Sequence, residues 1–308
     1  MSQAVLIPCF NEAATIGAVV RAFARTLPDA VIHVFDNAST DETIEMARAA
    51  GATVHRVSYR GKGNVIRRMF ADIDADVYVL VDGDHTYEAR SAPEMIRQMQ
   101  ENDLDMVVAT RHAVEDDSYR PGHALGNRLL TGATRWIFGD GFTDMLSGYR
   151  VVSRRFAKSF PAQSQGFEIE TELTIHALEL RMACEEIDTN YHARPDGSQS
   201  KLSTWRDGIR ILRTILRLFA IEKPLRFYGP IAMLTAIAAL ALGLPLIPTW
   251  LETGLVPRFP TAILAAGLAT LSGVTFFSAL LLENIAVARR EFKQLNYLAQ
   301  PAPGGGKV

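Results

Sequence analysis

The sequence predicts an α/β domain with a mostly parallel sheet, followed by an amphipathic helix and two helices that are long enough to cross a membrane. Three observations lead to this prediction. Short apolar runs alternate with amphipathic helical stretches from residue 1 to about residue 195. Some of these runs, such as VLIP and VYVLV, lack polar alternation, which indicates strands buried on both faces. Two long uncharged segments follow residue 225.

Length and charge narrow the class of protein. A chain of 308 residues fits one large domain with an appendage. A net charge of −2 argues against a nucleic-acid partner, because there is no basic excess to replace the counterions of a phosphate backbone. Cys9 and Cys184 fit neither a disulfide framework nor a metal-ligand spacing. The N-terminus shows neither a basic region nor a long apolar region, so we expect the first domain to stay in the cytoplasm.

Five strands and two helix starts are predicted in the α/β part. Asn11 is expected to cap a helix through Arg25, and Ser39 with Glu42 is expected to form a capping box for the helix Thr43 to Ala50. The strands are expected at Ala4 to Pro8, Val31 to Asp36, Thr53 to Ser58, Val77 to Asp82 and Met106 to Thr110.

The loops after these strands contain the candidate chemistry. In open α/β sheets, ligands bind beyond the carboxyl ends of the strands. We therefore expect one crevice lined by residues 9–12, 36–41, 59–64 and 82–87.

Asp82 and Asp84 are the first candidates for a metal site. Two carboxylates at i and i+2 repel each other unless a cation lies beside them, and oxygen ligands favour Mg²⁺ or Mn²⁺. The alternative is a turn in which both residues only cap the next helix.

Asp36 and Lys62 have less specific signals. Asp36 ends the second strand, where a nucleotide-binding sheet places an acceptor for a base or ribose, but an aspartate there is also a common turn residue. Lys62 lies between two glycines in RGKGN, which suits a point charge aimed at a diphosphate, although a solvated loop explains the pattern equally well.

The C-terminal part predicts a membrane hairpin. Phe227 to Leu251 and Phe259 to Leu282 contain no charged residue, and each is long enough to span a bilayer as a helix. The alternative is a pair of buried helices in a soluble core. Basic residues flank the pair, whereas the link contains only Arg258, so both termini are predicted in the cytoplasm.

Residues 200–219 before the first span predict a helix in the headgroup plane, because arginines at 206, 210, 213 and 217 share one stripe. A plain juxtamembrane anchor without substrate contact is the alternative.

The motifs in this order resemble the family 2 glycosyltransferases of the GT-A fold, over the whole chain. PCFNEAATIG is similar to their P-x-x-N-E opening, VFDNASTDET to V-D-D-G-S-x-D-x-T, RGKGNVIR to G-K-G-x-A-x-R, and VDGDHTY to the D-x-D motif. DMLSGYR, GFEIETEL and RPDGSQSKL match the polyprenyl-phosphate sugar synthases, within them the dolichyl-phosphate mannose synthase and GtrB-like subgroup. Two residues depart from the pattern: Asn37 replaces the usual second acid, and His85 replaces a glycine or small apolar residue.

The resemblance implies roles for the donor side. The nucleoside is expected to contact Pro8, Asn11, Glu12 and Asp36. Lys62 is expected to bind the diphosphate, and Asp82 is expected to serve both the nucleotide-sugar and the metal. Asp84, with Thr86 as an extra ligand, would complete the Mg²⁺ or Mn²⁺ site, where the ion stabilises charge on the departing diphosphate.

The acceptor side is expected to bind a lipid phosphate through basic residues. The candidates are Arg111, Arg128, Arg150, Arg194 and Lys201. A phosphate monoester needs positioning more than deprotonation, because its second pKa is about 6. If a general base acts, Asp144 is the first candidate, and Glu170 and Glu172 are weaker ones.

Together these features predict an inverting, metal-dependent transferase that moves one sugar from a nucleotide-sugar to polyprenyl (undecaprenyl) phosphate, in cell-envelope glycan synthesis. The donor is expected to be a UDP-sugar, with GDP-mannose as the alternative. The domains are expected at residues 1–200 (GT-A), 201–225 (amphipathic helix), 226–288 (membrane hairpin) and 289–308 (tail), with the first domain on the cytoplasmic face of the inner membrane among its lipids. Other glycan or lipid acceptors, and a non-catalytic nucleotide-sugar-binding anchor, remain open. Small residues in the spans leave a homo-oligomer open as well.

Overall fold

The computed structural model describes residues 1–113, 132, 134–137, 139, 141–195 and 204–303. The chain divides into two compact units: Met1–Arg213 with Phe292–Val308, and Thr214–Glu291. The domain boundaries expected at residues 200, 225 and 288 stay predictions.

The first unit alternates strands and helices, as its apolar pattern predicts. The five predicted strands are confirmed, and their ends differ from the expected ones by at most three residues. The elements are β1 (Gln3–Cys9), α1 (Ile16–Thr26), β2 (Val31–Asp36), α2 (Thr43–Ala49), β3 (Thr53–Arg56), α3 (Lys62–Asp72), β4 (Val77–Leu80), a 3₁₀ helix (Ala89–Ser91), α4 (Ala92–Glu101), β5 (Met106–Ala113), β6 (Arg150–Ser153), α5 (Arg154–Ser159), α6 (Ile169–Glu179) and β7 (Cys184–Tyr191).

The described strands form one seven-stranded sheet with the order β3-β2-β1-β4-β6-β5-β7. All adjacent pairs are parallel except the two that involve β6, which runs antiparallel to both β4 and β5. The predicted mostly parallel α/β sheet is therefore confirmed. β6 and β7 were not predicted from the sequence, because β6 has only four residues and β7, CEEIDTNY, is largely polar.

Two apolar clusters cover the two faces of the sheet. Val5 and Ile7 of β1 pack with α1 and α4, whereas Leu6 of the same strand packs with α3, α5 and α6. Successive side chains of a strand point to opposite faces, so a strand covered on both sides is apolar throughout. This packing leaves the strand ends as the place for polar residues.

The predicted helix caps are wrong in detail. Asn11 has a φ of +53° and lies outside α1, which begins at Ile16 after Thr15. Ser39 and Glu42 form no capping box. The hydroxyl of Ser39 instead accepts a hydrogen bond from Asn11 N, and Asp41 accepts one from Thr43 N. These loops use their side chains to bind each other, which local helix signals do not reveal.

The second unit is helical. α7 (Thr204–Glu222) begins in the first unit and ends in the second, and the remaining helices are α8 (Pro224–Gly243), α9 (Leu246–Thr253) and α10 (Phe259–Leu298). Within this unit, Ser272 Oγ donates to Ala232 O at 2.7 Å, and Leu225 N donates to Glu283 Oε2 at 3.1 Å.

Two helical segments, Pro224–Thr253 and Phe259–Leu298, are long and apolar enough to span a membrane. Only 11% of the most apolar window of each is buried in the protein. Helices in the core of a soluble protein are largely buried, so this exposure contradicts the alternative of a soluble helical core.

Candidate active site

The carboxyl ends of β1, β2 and β4 bring the candidate loops together. Asn37 N donates to Cys9 O at 2.8 Å, which joins the loops after β1 and β2. Thr15 Oγ1 donates to Gly83 O at 2.7 Å, which joins the start of α1 to the Asp82–Asp84 loop. The predicted clustering of these segments at one edge of the sheet is confirmed.

Asp36 contains an acceptor that nothing in the described part of the chain uses. Its side chain is buried, Oδ2 accepts a weak hydrogen bond from Ser39 N at 3.3 Å, and Oδ1 has no partner among the described residues. A buried acceptor at the carboxyl edge suits a hydrogen-bond donor of a ligand.

The residues of the first loop lie beside Asp36. Asn11 Oδ1 accepts from Thr40 N at 2.8 Å, and the buried Glu12 accepts from Thr15 Oγ1 at 3.3 Å. Pro8, on β1, pairs in register with Phe35. Their contacts with a nucleoside stay predictions.

Asn37 holds the loop that carries Lys62. Its amide nitrogen donates to Val57 O at 3.2 Å and to Tyr59 O at 2.7 Å, and its amide oxygen accepts from Gly61 N at 2.6 Å. A carboxylate has no N–H to offer the two carbonyls. The departure from the family's second acid therefore gives this chain a brace for the loop, a role that the sequence analysis missed.

Lys62 lies between two carboxylates. Its Nζ is 2.5 Å from Asp82 Oδ1 and 2.5 Å from Glu170 Oε1. Glu170 Oε2 is buried and has no hydrogen-bond partner among the described residues. The predicted neighbourhood of Lys62 and Asp82 is thus present, and Glu170 joins it from the first turn of α6.

Burial and charge set the protonation of this group. Burial disfavours the ammonium of Lys62, but the carboxylates of Asp82 and Glu170 outweigh it, so the pKa of Lys62 lies above its ordinary value. Burial raises the pKa of Glu170, and the nearby charge of Asp82 raises it further against the pull of Lys62. Lys62 therefore remains a cation at neutral pH.

Asp84 is held by two partners. Its Oδ2 lies 2.5 Å from a guanidinium nitrogen of Arg194, and its Oδ1 accepts from Thr86 Oγ1 at 2.6 Å and Thr86 N at 3.2 Å. Thr86 is buried, and its hydroxyl donates to Asp84, so it orients that carboxylate. Its role as an extra metal ligand stays a prediction.

The donor set fits a hard divalent ion. Asp82 and Asp84 supply carboxylate oxygens, and their present partners, Lys62 and Arg194, show that both acids attract a cation. Among the described residues no group of three His, Cys, Asp or Glu side chains forms a complete metal cage. Mg²⁺ and Mn²⁺ commonly take one or two protein carboxylates and complete their shells with water and substrate phosphates, so two acids are compatible with such an ion.

Asp144 is neutralised by Arg111. Two guanidinium nitrogens of Arg111 donate to its two carboxylate oxygens at 2.6 and 2.7 Å, and Arg111 also lies over the ring of Tyr191. A bidentate pair of this kind favours the ionised carboxylate but weakens it as a proton acceptor. Asp144 therefore fits a residue that positions Arg111 better than a general base.

Arg150 contradicts its predicted role in acceptor binding. Its side chain is fully buried, and its donors bind Ser147 O, Met145 O, Glu170 O and the hydroxyl of Thr174. An arginine whose donors face the protein interior holds backbone carbonyls rather than a lipid phosphate. Arg111 and Arg194 lie at the edge with the acids, whereas Arg128 and Lys201 lie outside the described residues.

The segment SGYR closes over Asp82. Tyr87, which the sequence analysis did not select, accepts a hydrogen bond from Gly148 N at 3.0 Å through its hydroxyl. A Cβ on Gly148 would overlap the carboxylate of Asp82. The glycine of this motif is therefore required by close packing against the acid, which the motif alone did not explain.

A cavity of about 620 Å³ lies next to Asp82, between α1 and residues 85–90. Its size is within the range of small-molecule pockets. Its lining includes Asp82, His85 and Tyr87 but neither Lys62 nor Asp84, so it borders the acidic cluster rather than containing it.

Comparisons with known proteins agree with the fold and the motifs. The model of the family "Glycosyl transferase family 2" matches residues 4–160. Glycosyltransferase AglJ of Haloferax volcanii is 32% identical over 300 residues, which cover 96% of this chain and 97% of AglJ. A dolichyl-phosphate hexose transferase of the same organism is 23% identical over 72% of this chain and 96% of its own length.

A solved structure shows the same fold. Glucosyl-3-phosphoglycerate synthase from Mycobacterium tuberculosis, crystallised with Mn²⁺, UDP-glucose and phosphoglyceric acid, superposes with a TM-score of 0.58 at 24% identity. The match covers 71% of this chain and 80% of that one.

Proposed function

Because this chain belongs to glycosyl transferase family 2 and is a glycosyltransferase, we propose that it transfers one sugar from a nucleotide-sugar to a polyprenyl phosphate, with undecaprenyl phosphate as the expected lipid. The observation that carries the proposal is a set of three ion pairs at the carboxyl edge of the sheet: Lys62 with Asp82, Arg194 with Asp84, and Arg111 with Asp144. This edge therefore offers acids that suit a metal-bound diphosphate, together with guanidinium groups that suit a phosphate.

The donor side binds the nucleoside diphosphate. Asp36 offers its unused carboxylate oxygen to the nucleoside, beside Pro8, Asn11 and Glu12. Lys62, whose side chain is 10% exposed, offers its ammonium to the diphosphate. Asp82 and Asp84 would hold Mg²⁺ or Mn²⁺. That ion supplies Lewis-acid stabilisation of the charge on the leaving group. Support comes from the related fold that was solved with Mn²⁺ and UDP-glucose, which also favours a UDP-sugar here over GDP-mannose.

The acceptor side orients a phosphate that is already ionised. Arg111 is fixed by Asp144, and Arg194 is fixed by Asp84, so each guanidinium is held in place beside the site. An ionised phosphate attacks without a strong base, so these residues act by orientation and charge rather than by proton removal. Attack from the face opposite the leaving group gives inversion at the anomeric carbon.

The lipid nature of the acceptor rests on two further facts. Two helical segments are long and apolar enough to span a membrane, and one relative over most of the chain is a dolichyl-phosphate hexose transferase. The basic flanks of these segments support a site on the cytoplasmic face.

The test is a transfer assay with the purified full chain. Undecaprenyl phosphate is incubated with a panel of UDP- and GDP-sugars, with Mn²⁺ or with EDTA. We expect one donor to give a lipid-linked product only when the metal is present, with the anomeric configuration opposite to that of the donor. Diacylglycerol serves as the rival acceptor. The absence of any lipid-linked product with every donor, or product from diacylglycerol alone, contradicts the proposal.

A further inference from the structure

We propose that two carboxylates on the first turn of α6, Glu170 and Glu172, position Lys62 for the diphosphate of the donor. This inference rests on the proposed function, in which Lys62 binds the diphosphate of the donor. Glu170 acts directly on the ammonium, and Glu172 acts through the backbone that supports the Lys62 loop.

Glu170 fixes the end of the Lys62 side chain. Its Oε1 lies 2.5 Å from Nζ, whereas its Oε2 has no hydrogen-bond partner among the described residues. A buried carboxylate is costly unless it is paired, so the ion pair with Lys62 is what offsets the burial of Glu170. Because Nζ contacts both Asp82 Oδ1 and Glu170 Oε1, the position of the ammonium does not depend on Asp82 alone.

Glu172 acts on the backbone next to Lys62 through the segment of residues 163–165. The two oxygens of this buried carboxylate accept from Gln163 N at 2.8 Å and from Ser164 N at 2.7 Å. The next residue of that segment, Gln165, accepts a hydrogen bond from Gly63 N through its carbonyl oxygen at 3.0 Å. The side chain of Glu172 therefore holds the segment that hydrogen-bonds to Gly63, the residue after Lys62.

The two glycines beside Lys62 show how closely these segments pack. A Cβ on Gly61 would overlap the carbonyl of Gln165, and a Cβ on Gly63 would overlap the carbonyl of Ser164. The backbone of residues 61–63 therefore lies directly on residues 164–165, and a displacement of the supporting segment displaces Lys62. Neither glutamate remains suited to the weaker general-base role considered for it, since one binds an ammonium and the other binds two N–H groups.

The experiment is a set of double-mutant cycles on the full chain in lipid nanodiscs. The dissociation constants of UDP and GDP are measured by calorimetry with and without Mn²⁺ for wild type, K62M, E172Q, E170Q and the two double variants. We expect each single glutamate variant to weaken binding of the preferred nucleotide by about tenfold, the usual effect of disturbing one charge-assisted hydrogen bond. In the K62M background neither glutamate variant should weaken it further, because the residue they position is gone.

A matched control comes from the other end of the same helix. Glu179, about 14 Å along α6 from Glu170, pairs with Lys293 at 2.7 Å, and its side chain is also buried. E179Q should lower the melting temperature and leave the nucleotide affinity unchanged. The donor KM of E172Q should rise more than its kcat falls, a split that a general loss of structure does not produce.

The outcomes separate the two proposals. If wild type binds neither nucleotide, the proposed function fails. If wild type binds and K62M weakens binding, but the glutamate variants leave it unchanged or add fully to K62M, only the positioning role is overturned. Should E172Q fail to fold, the E170Q cycle alone decides, since Glu170 contacts Lys62 directly.

Discussion

At the residue scale, three aspartates of the candidate site each form an ion pair with a lysine or an arginine. Asp82 faces Lys62, Asp84 faces Arg194 and Asp144 faces Arg111. Isolated buried charges are strongly unfavourable, so such pairs allow the site to keep acids ready for a cation before a ligand arrives.

The first prediction concerns Asp84→Asn. The substitution keeps the shape and the contacts with Thr86 but removes the charge that would bind the ion. We expect metal-dependent transfer to fall by about 10²-fold or more, the usual effect of losing one electrostatic stabiliser of a transition state, with a much smaller change in melting temperature. Asp72→Asn, which removes an exposed i,i+4 pair with Arg68, is the control and should transfer sugar normally. Full Mn²⁺-dependent turnover by Asp84→Asn contradicts the assignment.

A second prediction concerns Asn37→Asp, which restores the family's usual acid. The new carboxylate would face the carbonyls of Val57 and Tyr59 without an N–H to offer them. We expect a loss of about 1–3 kcal/mol in the free energy of unfolding and weaker nucleotide binding, measured by denaturation and calorimetry. Asn64→Asp, which loses one exposed bond to Arg60 O, should change both quantities far less. Equal effects at the two positions would argue that Asn37 is no brace.

At the element scale, α6 serves two purposes along its length. Its first turn presents Glu170 and Glu172 to the Lys62 loop, and its last turns contact the C-terminal end of α10 through Glu179 and Lys293. Almost the whole of α6 is buried, so its amphipathic signal is weak and the sequence alone does not show which side faces the site.

The third prediction is a pH dependence from His176 on α6. Burial, and then the charge of Lys293, lower the pKa of His176 to about 3, against the opposing pull of Glu179. Because the unfolded state binds this proton near pH 6.5 and the folded state does not, its contribution to stability is complete above pH 6.5. It falls by about 1.4 kcal/mol per pH unit as the pH drops toward 3. His176→Gln should lower stability at pH 7 and flatten the slope of melting temperature between pH 6.5 and 4; an unchanged slope rules this cause out.

The fourth prediction concerns the end of α10. Tyr297 donates to the buried Asp105 at 2.8 Å, and Arg155 lies 4.8 Å from the centre of its ring. Tyr297→Phe should lower the free energy of unfolding of the first unit by about 1–2 kcal/mol while sugar transfer stays near normal, read by thermal unfolding and by the transfer assay. Tyr59→Phe, at an exposed position, is the control for stability. A variant as stable as wild type would show that the hydroxyl contributes nothing.

At the scale of the whole molecule, the chain combines a sheet-based unit with a helical unit whose apolar side chains are exposed. Among the described residues, the large exposed hydrophobic side chains fall mostly between residues 209 and 298. Exposed apolar surface of this extent is typical of contact with lipid.

The fifth prediction tests the orientation. A cysteine at Val256, in the link between the spans, should react with a membrane-impermeant maleimide added to intact cells. A cysteine at the exposed Glu45 should react only after the cells are opened. The chain without an added cysteine, which has the buried Cys9 and the partly buried Cys184, gives the background. The reverse labelling pattern would place the site on the other face.

The sequence by itself determined the strands β1 to β5, the edge at which Asp36, Lys62, Asp82 and Asp84 meet, and the two apolar spans. These features follow from local properties: the period of apolar residues, the length of an uncharged run and the polarity at the end of a strand. Each of these properties can be read from one segment alone, because it reflects whether that segment is buried, exposed or in contact with lipid.

Only the tertiary structure decided the partners. Arg150 binds backbone carbonyls in the protein interior, Arg111 pairs with Asp144, 33 residues away, and Glu170 on α6 pairs with Lys62 on α3. β6 entered antiparallel between β4 and β5 and brought SGYR over Asp82. Charge pairing depends on which distant segments meet in space, and a pattern along the chain records the polarity of each segment but not its neighbour.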